Sequence, residues 1–129
     1  MSNYEKPIMV IDDDRIVAAL MQDTLEAAGY KVITFTDSKK ALESIAGSGV
    51  ELIVSDYHMP GLSGLELLKA VNKMQGELRR IMLVIILSGQ HDAKIALELV
   101  KNRAFSYQSK PLDIQKLLLD VSRAVTTLT

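Results

Sequence analysis

What most constrains this chain is an alternation of apolar runs of strand length with segments whose apolar residues recur at helical spacing. "PIMVID" (Pro7 to Asp12), "KVITF" (Lys31 to Phe35), "ELIVSD" (Glu51 to Asp56), "IMLVIILS" (Ile81 to Ser88) and "FSYQSK" (Phe105 to Lys110) are the strand candidates. Between the first two, Val17, Leu20, Met21, Leu25 and Ala28 recur with helical period and end at Gly29, a residue suited to a helix C-terminus. A second helix is expected over Ser38 to Ala46, stopping before "GSG". Ser63-Gly64-Leu65-Glu66 matches a capping box, with Leu62 and Leu67 placed as its hydrophobic staple, so a third helix starts there. Asp92 to Lys101 carries a fourth. The fifth is capped by Asp113, stapled by Leu112 and Leu117, and buries Ile114, Leu117, Leu118, Val121 and Val125.

Strands alternating with helices imply crossover units. The first, third and fourth strands are continuous apolar runs, as required when helices cover both faces of a parallel sheet. The expected fold is therefore α/β: a doubly wound, five-stranded parallel sheet. At 129 residues and 48% hydrophobic content, one domain over residues 1–129 is expected, with no linker or repeat to divide it. Fifteen basic against sixteen acidic side chains leave a formal charge of -1, which gives no global field toward nucleic acid or a membrane surface. The sequence has no cysteine and no signal-like or membrane-length apolar run, so a cytoplasmic protein without thiolate metal sites is expected. "GELRR", including Arg79 and Arg80, reads as a solvated surface connection.

Ligands of such sheets bind beyond the carboxyl ends of the strands. There the first strand finishes in Asp12 and Asp13, the third in Asp56, the fourth in Ser88 and the fifth in Lys110. A carboxylate ending a buried strand, as Asp56 does in "IVSDYHMPG", costs free energy unless it is paired or bound to a cation. Three neighbouring carboxylates raise one another's pKa, and a divalent cation removes the conflict. With only oxygen ligands on offer, Mg²⁺ is favoured over softer metals. Three carboxylates, the dication and the Lys110 ammonium then sum to neutrality. A metal-bound carboxylate facing a lysine and a hydroxyl is equipped to receive a phosphoryl group as an aspartyl phosphate.

With these residues the chain resembles the receiver domain of two-component response regulators. The resemblance runs from "IMVIDDD" through "LIVSDYHMPGLSG" and "IILSGQ" to "YQSKPLD". It implies a flavodoxin-like strand order 2-1-3-4-5, with Asp56 as phosphoacceptor and Asp12 and Asp13 as Mg²⁺ ligands, Asp12 through water. It also implies that the main-chain carbonyl of His58 completes the protein ligands, that Ser88 binds the phosphoryl oxygen, and that Lys110 pairs with it. Ser88 and Tyr107 fall on the family's switch positions, and the Lys110–Pro111 bond is usually cis there. The implied partners are a sensor histidine kinase or histidine phosphotransfer protein as donor, and an effector protein or an effector domain beyond Thr129 as output. A phosphorylation-dependent homodimer is a further option, and no direct nucleic-acid or membrane binding is implied. The domain is then not a turnover enzyme, but a phosphoacceptor that catalyses its own phosphorylation and slow dephosphorylation.

Some positions depart from or vary within the pattern. Arg103 stands where the family often has glycine, and His58 and Gln90 lie where side chains influence phosphoryl lifetime. Simpler readings exist for several residues: Asp14, and taken alone Asp12 and Asp13, as helix-capping acids; the His58 ring as a solvated group; Tyr107 as an edge-strand aromatic. A haloacid-dehalogenase-like phosphatase, with Asp12 as nucleophile and Asp14 as acid/base in "DDDRI", leaves Asp56 without a role and no segment for a substrate cap. A non-phosphorylated pseudo-receiver predicts the loss of a site residue, and none is lost. Flavin binding is disfavoured by the acidic first turn.

Overall fold

The computed structural model describes residues 3–89 and 92–129. Its elements run β1 (Ile8–Ile11), α1 (Arg15–Ala27), β2 (Val32–Phe35), α2 (Ser38–Ser48), β3 (Leu52–Asp56), α3 (Gly64–Leu78), β4 (Leu83–Ser88), α4 (Ala93–Lys101), β5 (Ser106–Ser109) and α5 (Ile114–Leu128). The strands form one sheet in the order β2-β1-β3-β4-β5, every neighbouring pair parallel. The alternation is as the sequence predicts, and the strand order is as the family resemblance implies.

Alternate residues of each strand face opposite layers. Met9, Ile11, Ile53, Val84 and Ile86 pack with Ala41 and Ile45 of α2, Leu67, Leu68 and Val71 of α3, and Leu99 of α4. Ile8, Val10, Leu52, Val54, Ile85 and Leu87 pack with Met21 and Leu25 of α1 and Leu117, Val121 and Ala124 of α5. Because β1 and β3 are buried along their whole length, they must be apolar on both faces, which is why they read as unbroken runs. Each fully buried Ile or Leu in these layers contributes about 1.5–3 kcal/mol relative to exposure.

Helix starts follow the sequence closely. Asp14, Asp37, Asp92 and Asp113 each accept hydrogen bonds from main-chain N–H groups of the first turn, and Ser63 with Glu66 completes the capping box of α3. Helix interiors and ends depart more. Helix α2 runs on through Gly47 and Ser48 and stops only at Gly49, which adopts φ 77°. Leu20 and Ile114, expected inside, are 44% and 43% exposed, while Ala18 and Asp120 occupy the inner positions instead. Asp120 is tolerated there because Ser106 and Gln108 of β5 both donate to its carboxylate.

The C-terminus of α1 is closed by Gly29 at φ 96°, with Gly29 N–H donating to Glu26 and Tyr30 N–H to Leu25. The same pair of bonds closes α4, from Arg103 to Val100 and from Ala104 to Leu99, both 3.0 Å, but the left-handed residue is Arg103 at φ 64°. A non-glycine residue pays about 1–2 kcal/mol in that conformation. Arg79, the C-cap of α3, is likewise left-handed at φ 52°. Arg80 is not the solvated residue expected. It is half-buried, and its guanidinium donates to the carbonyls of Ile45 (2.9 Å) and Ala46 (3.4 Å) in the last turn of α2.

Candidate functional site

At the carboxyl edge of the sheet the strand ends bring the predicted residues together. Strand β1 stops at Ile11 and β5 at Ser109, one residue short of the expected Asp12 and Lys110. Both residues nevertheless stay tied to the sheet: Asp12 N–H donates to Phe35 (3.1 Å) and Lys110 N–H to Ser88 (2.8 Å). Asp56 and Ser88 are the last residues of β3 and β4. Position is thus set by the sheet, not by flexible loops.

The Lys110 ammonium bridges two acids, 3.0 Å from Asp12 Oδ2 and 3.1 Å from Asp56 Oδ1. Asp12 is wholly buried, and its other oxygen accepts the Asp14 N–H at 2.9 Å. Asp56 is also buried, whereas Asp13 is exposed. One oxygen from each of Asp12, Asp13 and Asp56 lies within 4.8 Å of the others. Burial pushes the Asp56 carboxyl above its ordinary pKa, and the charge of Asp12 adds to this, against the opposing pull of Lys110. Burial works against the Lys110 ammonium, but its bonds and attraction to Asp12 and Asp56 outweigh burial and raise its pKa. One ammonium therefore leaves the three carboxylates under-neutralised. Clustered anionic oxygens with no sulfur or ring nitrogen are a donor set that fits a hard divalent cation.

Asp14 is placed differently. Its Oδ1 accepts from Ile16 (2.9 Å) and Val17 (3.3 Å) at the start of α1. That is the capping reading. The His58 ring is exposed and lies edge-on to Tyr57, with ring centroids 4.7 Å apart. Ser88 is fully buried, Tyr107 is half-buried against the α2–α3–α4 layer, and the Lys110–Pro111 bond is cis. Gln90 lies outside the described residues.

Two positioning contacts had no clear sequence signal. Ser38, buried at the start of α2, donates to the carbonyl of Pro60 (3.2 Å) and accepts from the N–H of Leu62 (3.1 Å). It clamps the loop after Asp56 from a separate element. Gly64 N–H donates to Tyr57 at 2.7 Å, and a Cβ at Gly64 would stand 2.8 Å from the Asp56 carbonyl oxygen. The first turn of α3 is thereby pressed onto the end of β3.

Comparison with known proteins agrees with this geometry. The family profile of the response regulator receiver domain matches residues 8–122. The C4-dicarboxylate transport transcriptional regulatory protein DctD of Rhizobium meliloti is 30% identical, over 91% of this chain and 25% of its own length. The DNA-binding transcriptional regulator NtrC of Escherichia coli is 33% identical, over 92% of this chain and 24% of its own. The chain thus spans about a quarter of the length of these relatives. A response regulator receiver domain protein from Clostridium thermocellum superposes with a TM-score of 0.84 at 30% identity, covering 95% of both chains.

Proposed function

The chain belongs to the response regulator receiver domain family, and from that premise we propose that residues 1–129 form one receiver domain that accepts a phosphoryl group on Asp56. The observation that carries this reading is the Lys110 ammonium held between Asp12 and Asp56 beside the exposed Asp13. Asp12, Asp13 and Asp56, with the main-chain carbonyl of His58, would hold Mg²⁺, Asp12 through water. When bound, that cation supplies positive charge against the phosphoryl oxygens. The donor is a phosphohistidine of a sensor kinase or phosphotransfer protein. An Asp56 oxygen forms a bond to phosphorus as the phosphorus–nitrogen bond breaks, and the electron pair leaves on the imidazole. Lys110 orients Asp56 and meets charge on the transferring group, and the Ser88 hydroxyl donates to one of its oxygens. Water later attacks phosphorus, the bond from phosphorus to the Asp56 oxygen breaks, and inorganic phosphate leaves, restoring the carboxylate. Output passes to an effector protein or an effector domain beyond Thr129, or through a phosphorylation-dependent homodimer.

The experiment is incubation with Mg²⁺ and a small acyl phosphate, followed by intact-mass measurement and peptide mapping. One added phosphoryl on Asp56 is expected. Label on Asp12 would instead carry the phosphatase reading.

The metal assignment has its own test. Asp13→Asn removes an anionic ligand and is expected to weaken Mg²⁺ binding roughly 10–100-fold or more, since even groups one step removed from a metal cost that much. Asp14→Asn, acting only at the start of α1, should change it little. Equal losses in a calorimetric titration would mean that the acidic residues are misassigned.

Register supports a route from Asp56 to a distant face. Tyr107 pairs with Ile86, and Ser88, two residues on, shares the Ile86 side of the sheet. Replacing one negative charge by nearly two draws Ser88 inward, and Tyr107 turns toward the vacated space, a population shift between two packings. NMR shifts of Tyr107 and of Gln115 to Arg123 are expected on adding a beryllofluoride phosphoryl mimic and should disappear in Ser88→Ala. Their persistence in that variant would rule out Ser88 as the link.

A further inference from the structure

Between the C-terminal ends of α3 and α4, at the edge of the sheet opposite Asp56, lies a groove of 770 Å³ lined by Arg79, Arg80, Lys101 and Arg103, with Ile81 and Met82 on its wall. None of the residues lining it is acidic. Arg80 is committed to the carbonyls at the end of α2, but no carboxylate among the described residues forms an ion pair with Arg79, Lys101 or Arg103. In a chain whose formal charge is -1, this is a local concentration of available positive charge.

The backbone supplies a second observation. Helices α1 and α2 end on left-handed glycines, Gly29 and Gly49, where that conformation carries no side-chain penalty. Helices α3 and α4 end on left-handed arginines, Arg79 at φ 52° and Arg103 at φ 64°, and both line the same groove. Attraction between a cation and a helix C-terminus explains a basic residue somewhere in the last turn. It does not explain placing two of them at the positions where glycine is least costly. Strain kept at two converging sites points to a use for the side chains.

We propose that this groove docks an acidic, partly apolar polypeptide segment of a partner protein, with Arg79, Lys101 and Arg103 pairing its carboxylates. The apolar wall decides the class of occupant. Ile81, on that wall, is 65% exposed. A polypeptide covers it with side chains, whereas a phosphate backbone offers it nothing. Docking here leaves the Asp56 edge open, so both ends of the sheet can be engaged at once.

The test is an NMR titration of the isotope-labelled chain with a short synthetic peptide rich in Glu and Leu, with its Lys-for-Glu counterpart, a DNA duplex and inorganic pyrophosphate as competitors. Shifts from the acidic peptide are expected at Asn72, Gly76, Arg79 to Leu83 and Lys101 to Arg103, weakening as salt is raised. The double variant Arg79→Gly, Arg103→Gly relieves both strained positions, so its urea midpoint should stay level or rise. Its affinity for the peptide should fall by about tenfold or more, from the loss of two cations. The proposal is overturned by shifts that are absent or fall elsewhere, by a double variant that binds as well as the parent, or by DNA, pyrophosphate or the basic peptide binding as tightly.

Discussion

Asp56→Asn is expected to accept no phosphoryl group from any donor and, in the presence of a chelator, to be more stable than the parent chain at neutral pH. The first half follows from chemistry, because an amide oxygen is a poor nucleophile toward phosphorus and carries no charge for a cation to hold. The second follows from the direction of the Asp56 pKa, raised first by burial and then by the charge of Asp12. A carboxyl with a higher pKa folded than unfolded binds its proton more tightly in the native state. The native state is therefore favoured while the group is protonated, and stability is lost as pH climbs from the unfolded carboxylate value, about 3.9, through the raised native one. At neutral pH the metal-free parent bears the whole penalty, and asparagine, which can still accept from Lys110, removes it. Urea titrations in chelator should show the variant ahead at neutral pH, with the gap closing in acid. Added Mg²⁺ should reverse the order by stabilising the parent more, since ligand binding to the native state adds stability in proportion to affinity. A variant less stable than the parent at neutral pH without metal would mean that Lys110 over-compensates the burial of Asp56.

The same residues show what a sequence can and cannot disclose. That Asp12, Asp13, Asp56, Ser88 and Lys110 would converge was legible because each stands at or directly after the end of a strand-length run, and a parallel sheet brings all such ends to one edge. The helix starts were legible for a similar reason, since capping is a local contact between residues two or three apart. Helix faces were less so. Leu20 and Ile114 fit the helical period, yet both are exposed: Ala18 and Met21 turn inward on either side of Leu20, and Ile114 is the first residue of α5, ahead of its buried stripe. Asp120 is buried because β5 brings Ser106 and Gln108 beneath α5, a pairing across 14 and 12 residues that no local pattern encodes. Arg103 announced itself only as a departure from glycine, and its meaning required the backbone angle.

Gly64 is the residue whose importance the sequence hid most completely, because in "SGLE" it passes for an ordinary first-turn residue of a capping box. Gly64→Ala is expected to be among the most damaging small substitutions in the chain. The added methyl would stand 2.8 Å from the Asp56 carbonyl oxygen, 2.9 Å from Tyr57 Cα and 3.3 Å from Ile86 Cδ1. The first two are main-chain atoms and cannot rotate away. Neither side yields easily: Asp56 is paired with Leu87 in the sheet, and Gly64 N–H is bonded to Tyr57 at 2.7 Å. Relief requires α3 to withdraw, breaking that bond, or β3 to shift, moving Asp56 relative to Asp12 and Lys110. Overpacking of this kind costs about 1–3 kcal/mol. The site should suffer beyond the stability loss, because Mg²⁺ affinity and phosphoryl acceptance depend on the spacing of the three carboxylates. Leu67→Ala, which removes buried side-chain volume from the same helix without pressing on Asp56, serves as the comparison. At matched stability, Gly64→Ala should bind Mg²⁺ and accept phosphoryl less well than Leu67→Ala. Equal behaviour of the two would reduce the Gly64 contact to ordinary packing, and an unperturbed Gly64→Ala would show that the end of β3 has room the structure does not reveal.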